Sequence, residues 1–297
     1  MEDNNLRNPR EMYYTGKYPA QEQDTPALQD EMKPKPDCGE ENYQGHDRLK
    51  GRNALITGGD SGIGRAAAIA YAREGANVAI QFFTGEEKDA EEVKKLIENE
   101  GKKALLLPYD LREDYAATEI VEKTIDEFKA LDILVLNAAQ QISHTKLSDL
   151  SMEQVHDTFK VNIISMFETV KAAEKYLKPG SAIITTTSIQ SFDPSSHIID
   201  YAATKGAITN FTVALSSIFA KRGIRVNGVA PGPIWTPIQM DQGQPEDAIP
   251  NFGKNSPLGR AGQPVELAPV YVLLASDEGS YITGQIYGIT GGQPINP

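Results

Sequence analysis

The 297-residue chain has one cysteine, one tryptophan and no long uninterrupted apolar segment. A single thiol cannot form an intrachain disulfide, and the Pro-rich, acidic surroundings of Cys38 do not indicate a nucleophile or a metal site. No apolar run approaches the roughly 20 residues that a membrane helix needs. The first residues also lack the basic and then apolar arrangement of a signal peptide. We therefore expect a cytoplasmic protein that does not span a membrane.

Positive charge is scarce as well. The chain has 29 Lys and Arg residues against 41 Asp and Glu residues, which gives a formal net charge of −12. Binding to nucleic acid usually needs a clustered basic face, and adsorption to an anionic membrane needs the same sign of charge. We therefore expect neither nucleic acid nor a membrane as a partner. A hydrophobic content of 40% and a charged content of 24% are ordinary for a soluble globular protein.

Residues 1–46 differ in composition from the rest of the chain. They contain five prolines, and ten acidic against five basic residues, without helical or alternating periodicity. Such a segment cannot bury enough apolar surface to fold alone. It nevertheless holds more large apolar and aromatic residues than a purely disordered tail would: Met12, Tyr13, Tyr14, Tyr18, Leu28, Met32 and Tyr43. We expect an extended tail along its own domain or a neighbouring subunit, with disorder as the alternative.

From residue 47 to residue 297, short apolar runs alternate with amphipathic segments. The predicted strands are Asn53–Thr57, Asn77–Phe83, Lys103–Pro108, Asp132–Leu136, Ser181–Thr187, Ile224–Ala230 and Gln285–Ile289. The predicted helices are Gly62–Glu74, Glu86–Glu100, Glu113–Lys129, Ser151–Lys178, Asp200–Lys221 and Pro264–Ala275. Continuous apolar strands between helices predict a parallel sheet covered on both faces. The fold class is therefore α/β, a Rossmann-type doubly wound sheet of about seven strands in three layers. The Gly- and Pro-rich stretch 231–262 fits no regular element, and its length predicts a lid.

A glycine-rich turn joins the first predicted strand to the first helix. The sequence Gly58-Gly59-Asp60-Ser61-Gly62-Ile63-Gly64 follows the strand directly. Residues without Cβ allow a tight turn and a close approach to a pyrophosphate. The helix start then offers free N–H groups and the positive end of its dipole. This context predicts a dinucleotide site.

The spacing T-G-x-x-x-G-x-G resembles the glycine motif of the short-chain dehydrogenase/reductase family, and other matches follow in that family's order. Asn137-Ala138-Ala139 follows the fourth strand, where family members usually read N-N-A-G, so this match is a variant. The resemblance implies a cofactor site at Gly58, Asp60, Ser61, Gly62, Ile63, Gly64, Gln81, Phe82, Asp110, Leu111, Asn137, Ala138, Ala139, Tyr201, Lys205, Pro231, Gly232, Ile234 and Thr236.

The choice between NAD and NADP is made near the end of the second strand. A carboxylate there favours NAD, whereas an arginine pairs with the 2′-phosphate of NADP. The sequence Gln81-Phe82-Phe83-Thr84 offers neither, and Ser61 stands where a basic residue of the glycine loop would. We expect NAD. NADP is the alternative, with Arg65 as the residue that would reach its phosphate.

Tyr201 and Lys205 are four residues apart on a predicted helix, so they share a face. Ser188 ends the fifth strand, and the carboxyl ends of parallel strands face the ligand crevice. The free phenol has a pKa of about 10, which is high for a base near neutral pH. Lys205 and the positive nicotinamide should lower it. The resemblance implies that Tyr201 is the acid/base, that Ser188 stabilises the substrate oxygen, and that Lys205 holds the nicotinamide ribose.

The same resemblance implies that Asn162 is a fourth catalytic residue, which kinks its helix and holds a water that relays protons to the lysine. The candidates for the substrate pocket are Ser188, Gln190, His197 and Trp235. His144 and His197 have no second ligand at sensible spacing, so we expect no metal.

These observations predict hydride transfer between a nicotinamide cofactor and a carbonyl or alcohol. The tail, the glycine loop and the N-A-A variant look most like the glucose/ribitol-dehydrogenase-like, general-stress subset, which implies a sugar, polyol or small alcohol as substrate. Segments such as Thr283-Gly284-Gln285 resemble those that pack a homotetramer. The alternatives are an epimerase that retains NAD, which usually needs a long insertion, and a non-catalytic NAD sensor, which has no need of Ser188, Tyr201 and Lys205 together.

Overall fold

The computed structural model describes residues 6–295. The first five residues of the predicted tail and the last two residues of the chain lie outside this range. Within it, no helix is both long enough and apolar enough to cross a membrane.

Seven parallel strands form one sheet, in the order β3-β2-β1-β4-β5-β6-β7. The strands are β1 Asn53–Thr57, β2 Asn77–Phe82, β3 Ala104–Pro108, β4 Ile133–Leu136, β5 Ala182–Thr186, β6 Arg225–Pro231 and β7 Ile286–Ile289. Strands β1, β4 and β5 are buried at every position, because helices cover both faces of the sheet. The strand order reverses between β1 and β4, and open sheets of this type bind ligands at that point. The predicted Rossmann-type α/β fold is confirmed.

The seven helices form the two outer layers. They are α1 Gly62–Arg73, α2 Glu87–Asn99, α3 Ala116–Phe128, α4 Met152–Phe159, α5 Ser165–Ala173, α6 Ile199–Phe219 and α7 Ala268–Ala275. One apolar core includes residues of α1, α2 and α7, and a second core includes residues of α3, α5 and α6. Each face of the sheet therefore has its own hydrophobic layer.

The helix predicted over Ser151–Lys178 is not continuous. Ser151 caps α4 by accepting a hydrogen bond from the Gln154 amide at 3.1 Å. A π-helical turn, Lys160–Ile164, then separates α4 from α5. Asn162 lies within this turn, is fully buried and bonds to the backbone of Gln140. A single wide turn of this kind is typical of functional sites in helices.

Residues 6–46 have one short 3₁₀ turn, Gln29–Glu31, and otherwise consist of irregular segments and turns, many of which pack against the α/β domain. Tyr18, Met32 and Cys38 are buried there. Glu74, at the end of α1, accepts hydrogen bonds from the Tyr43 hydroxyl and from Arg48. These contacts attach the tail to its own domain along much of its length.

The stretch 231–262 consists of loops with two 3₁₀ segments, Pro237–Gln239 and Glu246–Asn251. Trp235 at its beginning is fully buried and stacks on Tyr18 of the tail at 3.8 Å between ring centroids. A third apolar cluster joins Tyr18, Ala27 and Met32 of the tail to Trp235 and its neighbours. The tail and this stretch therefore pack as one layer.

Candidate active site

A cavity of about 710 Å³ opens at the carboxyl edge of the sheet. It extends from the glycine turn after β1 to the region around Tyr201 on α6. The loops after β4, β5 and β6 contribute to its wall, because parallel strands direct all these loops to the same edge. Its size and position suit a dinucleotide together with a small substrate.

The glycine turn is held in a conformation that side chains would prevent. Gly58 has a φ of +62°, which L-residues other than glycine rarely adopt. A Cβ on Gly64 would lie 1.9 Å from the Gly58 carbonyl oxygen. Together these two glycines bring the start of α1 against the end of β1. The helix then presents its first N–H groups toward an anion-binding position.

Polar side chains fasten the neighbouring strand ends to this turn. Gln81 accepts a hydrogen bond from the Gly58 amide at 3.1 Å. The Asn137 side-chain amide donates to the Gly58 carbonyl at 3.0 Å, and the Asn137 backbone amide donates to the Thr57 hydroxyl at 2.9 Å. Asn137 also accepts from Thr186 of β5 at 3.0 Å. The Asn of the N-A-A variant thus links β1, β4 and β5 where the cavity begins.

Ser188, Tyr201 and Lys205 lie at the other end of the cavity. All three line it, although Tyr201 is only 9% exposed and Lys205 only 1%. The Lys205 ammonium donates to the Thr186 carbonyl at 2.9 Å and lies 5.2 Å from the centroid of the Tyr201 ring. The Ser188 hydroxyl accepts from the Gln190 amide at 3.1 Å. The strand end and the helix face predicted from the spacing therefore meet here.

Burial sets the protonation of this pair. It raises the pKa of the Tyr201 phenol to about 12, and a hydrogen bond with Ser188 offsets only part of that rise. Burial also lowers the pKa of the Lys205 ammonium to about 7. The expected lowering of the Tyr201 pKa is therefore not found, because burial disfavours the charged phenolate.

Asn162 does not contact Tyr201 or Lys205 directly. Its amide nitrogen donates to the Gln140 carbonyl at 2.9 Å and to the Thr204 hydroxyl at 3.1 Å, while its oxygen accepts from the Gln140 amide at 2.7 Å. It thereby joins the π turn to the loop after β4 and to α6. Thr204 is the neighbour of Lys205 in sequence, so Asn162 supports α6 beside Lys205.

The corner near the end of β2 is acidic. Glu86 and Asp60 both line the cavity there, and burial together with the charges of nearby carboxylates raises the pKa of each. One oxygen of Asp60 is buried without a partner among the described residues. Asp110 is held in a fork by Arg112 at 2.7–3.0 Å, which outweighs burial and lowers the pKa of that carboxyl.

The structure excludes Arg65 as a ligand for a 2′-phosphate. The Arg65 guanidinium is paired with Glu40 at 2.9 Å and Glu92 at 3.1 Å, its side chain is 3% exposed, and it does not line the cavity. Among the described residues that do line it, the cationic ones are Arg112, already paired with Asp110, and Lys205 at the opposite end.

Most of the site residues predicted from the sequence line this cavity. They are Gly58, Asp60, Ser61, Gly62, Ile63, Gln81, Asp110, Leu111, Asn137, Ala138, Ala139, Ser188, Gln190, His197, Tyr201, Lys205, Pro231, Gly232, Ile234 and Thr236. Four do not: Gly64 packs behind the turn, Phe82 is in the core, Asn162 supports α6, and Trp235 faces the tail. Trp235 is removed from the substrate set because its indole N–H donates to the Pro34 carbonyl at 2.8 Å.

His197 and Gln190, the other two candidates of the predicted substrate pocket, both line the cavity. The His197 Nε2 atom is buried without a partner among the described residues, whereas its carbonyl accepts from the His144 amide at 2.7 Å. Gln190 uses its side chain to bind Ser195 at 2.6 and 3.0 Å. The side chains of both residues therefore keep hydrogen-bonding capacity for a ligand, since a side-chain amide has two N–H donors and two acceptor lone pairs.

Sequence reasoning missed several residues of the wall. Glu86, Arg112 and Asp241 line the cavity, and so do Thr25, Pro26 and Ala27 of the tail. The acidic run after β2 was a signal for Glu86. Nothing local indicates the tail residues, because their neighbours in space lie far away in sequence.

Comparison with known proteins gives consistent matches. Residues 58–293 match the family described as enoyl-(acyl carrier protein) reductase. General stress protein 39 of Bacillus subtilis (strain 168) is 52% identical over 280 residues, which covers 94% of this chain and 97% of that protein. Glucose and ribitol dehydrogenase homolog 2 of Arabidopsis thaliana is 43% identical over 286 residues, covering 94% and 98%.

A solved structure shows the same fold. The crystal structure of a short chain dehydrogenase from Burkholderia cenocepacia J2315, in complex with NADP, superposes with a TM-score of 0.77 at 31% identity. The match covers 82% of this chain and 98% of that one.

Proposed function

The chain belongs to the short-chain dehydrogenase/reductase family and is a nicotinamide-dependent oxidoreductase, and from this premise we propose that it interconverts a carbonyl and an alcohol on a sugar, polyol or small alcohol. The observation that carries the assignment of residues is the convergence of Ser188, Tyr201 and Lys205 on one end of the cavity, with the ammonium 5.2 Å from the phenol ring. Such a pair of titratable groups with opposite shifts marks an acid/base site.

The proposed roles follow from these contacts. A bound nicotinamide dinucleotide supplies or accepts the hydride and, when oxidised, brings a positive charge. Tyr201, protonated up to high pH, donates its proton to a carbonyl oxygen in reduction and takes it back in oxidation. Ser188 donates a hydrogen bond to that oxygen and stabilises its developing charge. Lys205 has one protein acceptor, the Thr186 carbonyl, and holds ribose hydroxyls with its remaining N–H groups.

We assign Asn162 a positioning role. Its three hydrogen bonds fix the π turn against the loop after β4 and support Thr204 beside Lys205. His197, with its buried Nε2 atom, and Gln190 both line the cavity, which supports a substrate that carries hydroxyl groups. The related dehydrogenase named for glucose and ribitol supports the same substrate class.

We propose NAD as the preferred cofactor. Asp60 and Glu86 line the corner after β2, where their carboxyl groups suit hydrogen bonds to ribose hydroxyls and supply no positive charge for a 2′-phosphate. Arg65 is engaged elsewhere, and Arg112 is paired with Asp110. The Burkholderia structure contains NADP, and tighter binding of NADPH than of NADH by the present protein would contradict the proposed preference.

The test is nicotinamide fluorescence with NADH and NADPH, on the intact protein and on Tyr201→Phe. We expect tighter NADH binding in both proteins, and a loss of turnover of about 10²–10⁴-fold in the variant, because only the acid/base is removed. Turnover is measured with a panel of sugars, polyols and small aldehydes. Tighter NADPH binding contradicts the cofactor proposal, and an active Tyr201→Phe protein contradicts the acid/base role.

We further propose a cytoplasmic homotetramer, in which residues 1–46 form a tail and 231–262 a lid on the domain 47–297. Exposed apolar side chains on α5 and α6 support assembly, since Phe167 is 49%, Val213 46% and Ile218 63% exposed. Sedimentation equilibrium of the purified protein tests the tetramer, and cell fractionation tests the location.

A further inference from the structure

The tail reaches the cofactor cavity itself. Thr25, Pro26 and Ala27 form part of the cavity wall together with Glu86 and Asp60. Pro26 packs closely on Gly85. A Cβ added to Gly85 would lie only 2.9 Å from the proline ring. One side of the acidic corner is therefore built by a segment that precedes the α/β domain in the chain.

Gln29 connects the same segment to the glycine turn. It is fully buried, and its side-chain oxygen accepts a hydrogen bond from the Gly62 amide at 2.7 Å. Gly62 is the first residue of α1, so Gln29 satisfies one of the N–H groups that a helix start leaves free. The Gln29 backbone amide in turn donates to the carboxylate of Asp89, on α2, at 2.6 Å.

A third set of contacts joins the segment to the stretch 231–262. The Thr25 hydroxyl donates to Asp241, and the Gln23 amide donates to the Met240 carbonyl at 3.3 Å. Asp241 also lines the cavity. Residues 25–29 thus lie between the glycine turn, the corner after β2 and the proposed lid, and they contact all three.

We propose that residues 25–29 of the tail belong to the dinucleotide site, with Thr25–Ala27 as its wall and Gln29 as the residue that positions the glycine turn. This inference rests on the proposed function only in taking the cavity as the nicotinamide dinucleotide site. Gln29 acts through Gly62 and not on the reacting atoms. Its loss should weaken cofactor binding and leave the rate of the bound complex unchanged.

The test replaces Gln29 by methionine, which has a similar length and removes both polar groups. Gln21→Met is the matched control, since Gln21 is half-buried, its side chain bonds among the described residues only to Pro19 and Lys33 of the tail, and it does not line the cavity. We expect the NADH Kd to rise about ten-fold in Gln29→Met, because one buried hydrogen bond that fixes the turn is lost. The kcat at saturating NADH should change by less than about two-fold. Gln21→Met should match the intact protein in both.

A second measurement does not depend on the variant folding. Hydrogen exchange of the intact protein is followed over residues 23–32 with and without saturating NADH. We expect exchange in this segment to slow at least about ten-fold on binding, because Thr25 and Ala27 line the cavity and Gln29 bonds to the glycine turn. The inference is wrong if the exchange rate does not change on binding, or if the NADH Kd of Gln29→Met is within two-fold of that of the intact protein. In either case, NADH binding by the intact protein leaves the proposed function standing. Absence of NADH binding by the intact protein overturns both.

Discussion

Glu86 is the residue at which cofactor choice can be tested most directly. Its carboxyl lines the cavity, accepts a hydrogen bond from the Phe83 amide at 2.8 Å, and has a pKa raised by burial and by the charge of Asp60. Because burial and the charge of Asp60 raise its pKa to about 9, the carboxyl is largely protonated near neutral pH and gains negative charge as the pH increases. Repulsion of a 2′-phosphate at this corner should therefore grow with pH.

We predict that Glu86→Gln binds NADPH about five-fold more tightly than the intact protein at pH 9, and NADH slightly less tightly. Glutamine keeps the acceptor for Phe83 but removes a charge that is worth about 1 kcal/mol against a nearby phosphate. In the intact protein, the ratio of the NADPH Kd to the NADH Kd should rise between pH 7 and pH 9, and in the variant this rise should be smaller. Fluorescence titration at both pH values measures it.

Glu87→Gln is the control for Glu86→Gln. Glu87 is the next residue in the chain and is exposed, but it does not line the cavity. Solvent screens its charge, so its substitution should leave the ratio unchanged. Equal effects of the two variants would show that the corner acts only through the overall charge, and the proposed role of Glu86 would then be wrong.

Individual site residues were predictable where local spacing carries the chemistry. Tyr201 and Lys205 share a helix face, and the glycine turn follows directly from β1. Trp235 is a candidate for the substrate pocket from the sequence, but the structure packs it against the tail. Its partners Tyr18 and Pro34 are about 200 residues away, and no local pattern reveals such a pairing. The same holds for Thr25–Ala27 in the cavity wall.

At the scale of elements, the junction of β1 and α1 depends on Gly64. A Cβ there would lie 1.9 Å from the Gly58 carbonyl and 2.8 Å from the Asn137 side chain. We predict that Gly64→Ala lowers the free energy of unfolding by about 3 kcal/mol, since strand and helix must move apart. It should also weaken NADH binding. Urea unfolding and fluorescence titration measure the two effects.

Gly206→Ala provides the comparison for this element. Gly206 lies within α6 and has no left-handed φ, and a Cβ at this position would have no neighbouring atom within 4 Å. Alanine should stabilise the protein there by about 0.5–1 kcal/mol, because it favours a helix over glycine. A destabilisation of the same size in both variants would mean that helix propensity or expression, and not the close approach at Gly58, explains the loss at Gly64.

Most elements were predictable because apolar runs and amphipathic periods are long in this chain. All seven strands and most helices lie within a few residues of their predicted bounds. The interruption at Lys160–Ile164 was not predicted as a separate element. It is fixed by the bonds of Asn162 to Gln140 and Thr204, which are tertiary contacts and leave the apolar period of the helix intact.

For the whole molecule, the tail and the stretch 231–262 form a shared surface layer. Tyr18 stacks on Trp235, Trp235 bonds to Pro34, and Arg260 donates to the Pro9 carbonyl at 2.8 Å and lies 5.2 Å from the Tyr13 ring. Removing the tail exposes the indole, takes the Pro34 acceptor away from its N–H, and removes the Tyr43 donor from the buried Glu74 carboxylate. The stability of the domain should therefore depend on a segment that has almost no regular structure.

We predict that deleting residues 1–46 lowers the Tm by on the order of 10 °C, because it removes aromatic burial worth about 3–5 kcal/mol in a domain of this size. Two point variants localise the effect in the intact chain. Tyr18→Ala should lose a large part of the stability, whereas Tyr18→Phe should lose none, since the Tyr18 hydroxyl is buried without a partner among residues 6–295. Thermal unfolding and sedimentation report stability and oligomer size together. An unchanged Tm and oligomer size after the deletion would show that the tail does not stabilise the domain. An equal loss of stability in Tyr18→Phe and Tyr18→Ala would show that the hydroxyl, and not the stacked ring, provides the stabilisation.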